Sequence, residues 1–120
     1  VTNRMDHPAD VIDFSNQKVA CNARREILMI SRSPIPYPKG TLDFEYEKIT
    51  GIQLFSKQAL AFYAASPKSA LEKAEENDLM RFIENGHTVH AVLSPYKTVS
   101  VDTPKDLDVV CNILKERGAV

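Results

Sequence analysis

The 120 residues contain only four glycines, two cysteines, three histidines and no tryptophan. The glycines are scattered, which excludes a glycine-rich loop that cradles phosphates. Cys21 and Cys111 lie far apart, and neither has a second cysteine or a histidine at metal-ligand spacing. We therefore expect two buried, reduced thiols. No histidine stands with a serine or cysteine in a recognisable nucleophile motif, so a hydrolase triad is not supported.

Long apolar runs and an excess of one charge are also lacking. No run approaches the roughly 20 residues of a membrane span, and the amino terminus has no signal-peptide core. There are 15 basic and 16 acidic residues, without a basic cluster that would bind nucleic acid or a membrane surface. These absences leave a small molecule as the expected ligand and the cytoplasm as the expected location.

The apolar residues that are present make up 43% of the chain, enough for the core of a single domain over residues 1–120. There is no initiator methionine, and the first ten residues carry a His-Pro turn rather than a predicted strand. We therefore expect this polypeptide to be the middle of a longer one.

Strand and helix patterns alternate along the chain. Two apolar runs, 19–21 and 27–30, flank "NARR" and predict a β-hairpin. The proline-rich "SRSPIPYPKG" predicts a loop, because proline removes backbone donors and fixes φ. "TGIQLF" and "TVHAVL" predict strands, and "TVSV" predicts another short one.

Three helices are predicted from their caps. The first begins after Ser56, with Leu60 and Tyr63 facing inward. The second opens at Ser66-Pro67 and runs to Asn85-Gly86, and the third runs from Thr103-Pro104 to near Gly118. Strands alternating with helices predict an α/β fold, and the hairpin indicates a mixed sheet.

Two carboxylates fall inside the apolar sector of the second helix. On a wheel of 100° per residue, Glu75 and Asp78 lie between apolar positions, and Arg81 lies near the edge. Because an unpaired buried carboxylate costs several kcal/mol, such groups are normally paired or line a cleft. One interpretation is a pocket wall that binds a polar ligand, and the other is a partly exposed helix with carboxylates in solvent or paired to Arg81.

Asp102 stands at the junction of a strand and a helix in "SVDTPKDL". With Thr103 as N-cap and Asp106 three residues later, the first free N–H groups of the helix are satisfied without Asp102. A carboxylate in this place can hold Mg²⁺ beside phosphate oxygens, or it can simply form a turn. Arg32, which leads the proline-rich loop, is either a fork for a carboxylate or phosphate, or a surface arginine.

Four segments in order, "LMISRSPIPY", "GIQLFSKQAL", "LEKAEENDLMRFIENG" and "VDTPKDL", resemble the carboxyl-terminal half of the cytidylyltransferases that activate sugar acids. The resemblance is greatest to the 3-deoxy-manno-octulosonate cytidylyltransferase (CMP-Kdo synthetase) family, and it covers nearly the whole chain. It implies a Rossmann-like nucleotidyltransferase fold with a mixed β-sheet and flanking helices. This chain would be only its C-terminal half, the part that binds the sugar acid and dimerises.

The resemblance also implies an activity. Family members join CTP to an acidic sugar, release pyrophosphate, use Mg²⁺ and usually work as homodimers in the cytoplasm. Carried over by position, Asp102 is the catalytic magnesium ligand and Arg32 contacts the sugar acid. Asp78 matches a substrate-binding carboxylate, and Gln53 takes the place of a substrate-contacting tyrosine. With Glu75 from the helix wheel, these are the candidate site residues.

The chain departs from the family in several places. Ile49 replaces a substrate-binding histidine and Leu79 replaces a glutamine, so Kdo, another sugar acid and a phosphonate stay open as substrates. The loop that grips CTP and a second metal-binding aspartate are not in these 120 residues. We therefore expect no turnover from this chain alone, because nucleotidyl transfer depends on groups that neutralise the phosphates.

A non-catalytic binding or assembly module is the alternative from another functional class. The missing nucleotide-binding half favours it. The inward positions predicted for Glu75 and Asp78 argue against it, because interface cores are depleted of acidic residues.

Overall fold

The computed structural model describes residues 1–41, 43–101 and 103–118. Along the chain, these form β1 (Thr2–Arg4), α1 (Pro8–Ile12), β2 (Lys18–Cys21), β3 (Ile27–Ser31), β4 (Glu47–Ile49), α2 (Lys57–Ala65), α3 (Ala70–Glu75), α4 (Leu79–Glu84) and α5 (Pro104–Glu116). The strands form one antiparallel sheet in the order β1-β4-β2-β3. A separate parallel bridge joins Thr2 to Leu93. The α/β class is confirmed.

The predicted hairpin is β2 and β3. Val19 pairs with Ile30, and both side chains are buried in the core. In the turn, Arg25 adopts a left-handed conformation with φ of 64°, which lets the chain reverse direction within the predicted "NARR" segment. The register shifts between Ala20 and Cys21.

Strand predictions elsewhere were less accurate. The amino terminus contains β1, which was not expected, and β1 pairs with β4. The "TGIQLF" prediction was wrong, since no strand is assigned there and Leu54 is 99% exposed. Short strands depend on a neighbouring strand for their hydrogen bonds, so a three-residue run such as β1 has little signal of its own.

Residues 87–101 follow the edges of the sheet rather than joining it as regular strands. In "TVHAVL", the carbonyl of Val89 accepts from the Ile27 N–H and that of Val92 accepts from the Thr2 N–H. Only isolated bridges are assigned there, and "TVSV" carries no strand. Both strand predictions were therefore wrong as regular elements, although the first marks a real pairing segment.

Helix α2 begins as predicted, with the Ser56 hydroxyl accepting from the Ala59 N–H at 3.1 Å. Leu60 was wrongly placed inside, because its side chain is 53% exposed. Tyr63 is half-buried, and its ring stacks on Phe82 with centroids 6.0 Å apart.

The second predicted helix is in fact two helices. Helix α3 is capped by Ser69, and Glu76 ends it in a left-handed conformation with φ of 51°. The buried Asn77 then accepts from the Leu79 N–H at 3.0 Å through its side chain, which competes with a continuous helix. A single helical wheel therefore does not relate Glu75 to Asp78, and the inward placement of both rested on a helix that is broken between them.

The core lies between the hairpin and α4. Ile30 and Met80 are fully buried, and Phe82 is 4% exposed. The ring of Phe82 lies 5.7 Å from that of Phe55 and 5.3 Å from that of Phe62, centroid to centroid. This packing holds α2 against α4, and α4 in turn packs on β3.

The remaining expectations concern the last helix, the thiols and the membrane. Helix α5 has the predicted cap at Thr103 and ends before Gly118. Both cysteines are free; Cys21 is half-buried, whereas Cys111 is exposed on α5, so the prediction of two buried thiols was wrong for Cys111. Burial raises the pKa of the Cys21 thiol. Within the described residues, no helix is both long and apolar enough to cross a membrane.

Candidate functional site

Arg32 is the first residue after β3, where the sheet gives way to the proline-rich loop. Its Nη1 donates to the carbonyl of Phe14 at 3.1 Å, and its Nε donates to the carbonyl of Glu75 at 3.3 Å. Its Nη2 lies 3.6 Å from a carboxylate oxygen of Glu76, and the side chain is 34% exposed. The guanidinium is therefore oriented by the protein and still open to a ligand from solvent.

Glu75, at the end of α3, contacts the same end of β3. One carboxylate oxygen accepts from the Ser31 hydroxyl at 2.7 Å, and the other accepts from the backbone N–H of Arg32 at 2.8 Å. The structure thus brings two of the predicted site residues, Arg32 and Glu75, into contact. Both oxygens of Glu75 already have partners within the protein.

Asp78 and Gln53 lie apart from this contact. Asp78 is half-buried just before α4 and lines a shallow depression shared with Tyr63, Lys68 and Lys73. Gln53 is exposed between β4 and α2. In the part of the chain that the structure describes, neither side chain forms a hydrogen bond with Arg32 or Glu75.

Sequence reasoning missed Lys18, which is fully buried at the start of β2. Its Nζ donates to the carbonyls of Asp13 at 2.9 Å and Asn16 at 2.7 Å, and also to the carbonyl of Arg32. Burial lowers the pKa of Lys18, while the charges of Asp13 and Glu75 oppose that shift. The available signal was a lysine placed directly before the apolar run of a predicted strand.

Gln17 joins the same network from the neighbouring position. Its amide nitrogen donates to the carbonyl of Glu75 at 3.0 Å, and its amide oxygen accepts from Asn77 at 2.7 Å. Segment 13–18 therefore holds the helix break on one side and Arg32 on the other. The polar stretch "DFSNQ" before the hairpin was the only sequence signal for this role.

A polar cleft of about 540 Å³ lies on another side of segment 13–18. Its lining comes from the amino-terminal region, from β4 and from the residues around the start of α5, namely Asp10, Asp13, Ser15, Asn16, Gln17, Lys48, Ile49, Thr50, Thr98, Val99, Ser100, Thr103 and Asp106. The backbone N–H and the hydroxyl of Ser15 hydrogen-bond the carboxyl of Asp13 and lower its pKa, so this carboxylate stays ionised to a lower pH than a free aspartate. Anionic and cationic groups thus share the cleft, which suits a polar ligand.

Asp102 lies outside the described residues, so its role as a magnesium ligand stays a prediction. Ser100 and Thr103 line the cleft. The Thr103 hydroxyl accepts from the Asp106 N–H at 3.3 Å, and the Asp106 carboxylate accepts from the Thr103 N–H at 2.8 Å. The predicted capping box between Thr103 and Asp106 is therefore confirmed.

The two family departures fall in different environments. Ile49 lines the cleft and packs partly on the core. Leu79 is 6% exposed and belongs to the core itself. At both of these positions, an apolar side chain stands where the resemblance implies a polar group that contacts substrate.

No family profile matches the chain. Among curated proteins, it is 30% identical over 113 residues to the 3-deoxy-manno-octulosonate cytidylyltransferase of Solibacter usitatus, covering 93% of this chain and 45% of the relative. It is 38% identical over 101 residues to that of Acidobacterium capsulatum, covering 83% of this chain and 41% of the relative. A solved structure of CMP:2-keto-3-deoxy-manno-octonic acid synthetase complexed with CTP superposes with a TM-score of 0.88 at 29% identity.

The chain matches the carboxyl-terminal part of the 3-deoxy-manno-octulosonate cytidylyltransferases. The family resemblance seen in the sequence is thereby confirmed, together with its fold. The superposition covers 97% of this chain but 48% of the solved synthetase. This chain thus spans less than half the length of the cytidylyltransferases that it matches.

Proposed function

We propose that this chain is the acid-binding part of a CTP-dependent cytidylyltransferase. The complete protein transfers CMP from CTP to the hydroxyl of Kdo or a related sugar acid and releases pyrophosphate. The observation that carries the proposal is the superposition of 97% of the chain on a CMP-Kdo synthetase at a TM-score of 0.88.

The chemistry of Arg32 supports the acid-binding role. A guanidinium forms paired, charge-assisted hydrogen bonds to carboxylates, and the Arg32 side chain is partly exposed while its direction is set by neighbouring carbonyls. Glu76 holds Nη2 only at 3.6 Å and is itself 80% exposed, so a ligand carboxylate can replace it. In this role Arg32 orients the acid for attack on CTP.

Mg²⁺ is the cofactor that we propose for the complete enzyme, with Asp102 as one ligand. Among the described residues, no group of three or more histidine, cysteine, aspartate or glutamate side chains is arranged to hold a metal. An aspartate carboxylate fits the oxygen preference of Mg²⁺, and the other ligands would come from CTP and from the rest of the enzyme. When bound, the ion neutralises phosphate charge.

We propose further that the site accepts related sugar acids as well as Kdo. Leu79 is buried in the core and Ile49 is apolar at the cleft, so neither donates a hydrogen bond to a sugar hydroxyl. A pocket that lacks such donors does not select strongly for a hydroxyl.

We also propose a homodimer. An apolar groove of about 790 Å³ is lined in part by Ile12, Tyr37 and Phe44. The side chains of Ile12 and Tyr37 are 76% and 81% exposed, and a patch of this kind is typical of an interaction surface. Light scattering should give twice the monomer mass, and a monomer at all concentrations would reject the dimer for this chain.

Isothermal titration with 3-deoxy-manno-octulosonate tests the acid-binding role in this chain. Wild type should bind, and Arg32→Ala should weaken binding by about 100-fold, because a charge-assisted pair to a carboxylate is lost. Arg24→Ala is the matched control, since that arginine is 78% exposed in a surface pair with Glu26. Absence of binding by wild type, or equal binding by Arg32→Ala, contradicts the proposal.

A further inference from the structure

The backbone of Arg32 is held on both sides by charged side chains. Its N–H donates to Oε2 of Glu75 at 2.8 Å, and its carbonyl accepts from Nζ of Lys18. Lys18 faces Ser31 across the hairpin, whereas Glu75 comes from the end of α3. Two elements that are distant in sequence therefore determine where this one residue stands.

The partners of Glu75 argue against its direct contact with an acidic substrate. Its two carboxylate oxygens accept from the Ser31 hydroxyl at 2.7 Å and from the Arg32 N–H. A substrate carboxylate would be repelled by Glu75 and attracted by the guanidinium beside it. Glu75 is thus suited to hold Arg32, and Arg32 is suited to hold the acid.

Lys18 connects Arg32 to the wall of the polar cleft. The side chain is fully buried, and the three N–H groups of the ammonium match three backbone carbonyls, those of Asp13, Asn16 and Arg32. Asp13 and Asn16 also line the cleft. Arg32 in turn donates to the carbonyl of Phe14 in the same segment. The direction of the guanidinium therefore depends on the same segment that shapes the cleft.

We propose, on the basis of the function proposed above, that Glu75 and Lys18 are positioning residues. They act through the backbone of Arg32 to aim its guanidinium at the carboxylate of the acid, and they do not contact the acid themselves. Arg32 binds the carboxylate of the acid more tightly when the direction of its guanidinium is already set, because the side chain then loses less conformational freedom on binding.

The test combines a spectroscopic signal with ligand affinity. The ¹⁵N resonance of Arg32 Nε–H is recorded in wild type, in Glu75→Gln and in Glu45→Gln, and each protein is titrated with 3-deoxy-manno-octulosonate. Glu45 is the matched control because it pairs with Arg4 at the surface and its side chain is 65% exposed. Glu75→Gln should shift the Arg32 signal before ligand is added and weaken binding by about 10-fold, whereas Glu45→Gln should change neither.

An unchanged Arg32 signal together with wild-type affinity in folded Glu75→Gln would overturn the positioning role. If wild type does not bind the acid but Glu75→Gln still moves the Arg32 signal, the positioning role is supported and the proposed function fails. Should Glu75→Gln not fold, Ser31→Ala decides, because it removes one of the two hydrogen bonds to the Glu75 carboxylate. Ser31→Ala should shift the Arg32 signal and weaken acid binding, as expected for Glu75→Gln but by a smaller amount. If neither the signal nor the affinity changes, the proposal is rejected.

Discussion

Helices α4 and α5 differ in what makes them helical. Helix α4 has only six residues and no side-chain cap at Asp78, but Leu79, Met80, Arg81 and Phe82 are all buried. Helix α5 has 13 residues and a complete capping box between Thr103 and Asp106. Its apolar side chains are much more open, with Leu107 51% and Val109 44% exposed. Helix α4 therefore depends on packing, and α5 depends on its own local sequence.

The largest effect should come from emptying the core beneath α4. Phe82→Ala removes a ring that packs against Phe55, Phe62 and Tyr63, and should lower the free energy of unfolding by about 3–5 kcal/mol. Leu107→Ala on α5 should change it by less than about 0.5 kcal/mol, because that side chain is already half exposed. Urea unfolding measures both, and comparable losses would contradict the contrast between the helices.

An intermediate effect is expected from pH, through the ion pair that joins α3 to α4. Arg81 donates to both carboxylate oxygens of Glu72, at 2.6 and 2.7 Å, and these bonds lower the pKa of Glu72. A lowered pKa in the folded state contributes stability above the unfolded value of about 4.5, and this stability is lost as pH falls through the folded pKa. Wild type should therefore be less stable at pH 3 than at pH 6.

Glu72→Gln should reduce the difference in stability between pH 3 and pH 6, because it lowers the stability at pH 6. Urea unfolding at both pH values measures this. Glu26→Gln is the comparison, since Arg24 lowers the pKa of Glu26 as well but is 78% exposed, where solvent screens the pair. A Glu72→Gln variant with the full wild-type pH dependence would show that the buried pair is not its source.

The smallest effects should come from two glycines in the same conformation. Gly86 follows α4 with φ of 77°, and Gly118 follows α5 with φ of 65°. An added Cβ has free space at both, so the cost of alanine is the left-handed backbone alone, about 1 kcal/mol. Gly86→Ala should lower global stability by that amount. Gly118→Ala should only speed hydrogen exchange in the last turn of α5. Equal losses of global stability in the two variants would contradict the contrast between α4 and α5.

The same contrast explains which parts of the fold were predictable. The caps at Ser56 and Thr103 and the hairpin turn use short-range chemistry, and the structure contains all three. The break at Glu76 and Asn77 was not predictable, because Asn77 interrupts the helix while donating to Gln17, 60 residues away in sequence. Strand β1 was missed for a related reason, since its hydrogen bonds are made to β4.

For the candidate site, the sequence indicated which residues could take part but not which of them contact each other. Arg32 was singled out from its place before the prolines, and its contact with Glu75 crosses 43 positions of sequence. The position of Lys18 before an apolar run did not indicate that its side chain reaches the carbonyl of Arg32. Arg32, Gln53 and Asp78 keep their substrate-binding role as predictions, and Asp102 keeps its metal-binding role in the same way.

The sequence by itself determined the resemblance to the cytidylyltransferases, the α/β class, the hairpin and the capped ends of α2 and α5, because each depends on residues that are neighbours along the chain. Only the tertiary structure decided that the carboxylate of Glu75 faces Ser31 and the Arg32 backbone, and that a buried ammonium at Lys18 joins Arg32 to the cleft wall. These contacts depend on how three separate segments meet. A buried charge takes whichever partners the packing brings within hydrogen-bonding distance, and local sequence carries no record of them.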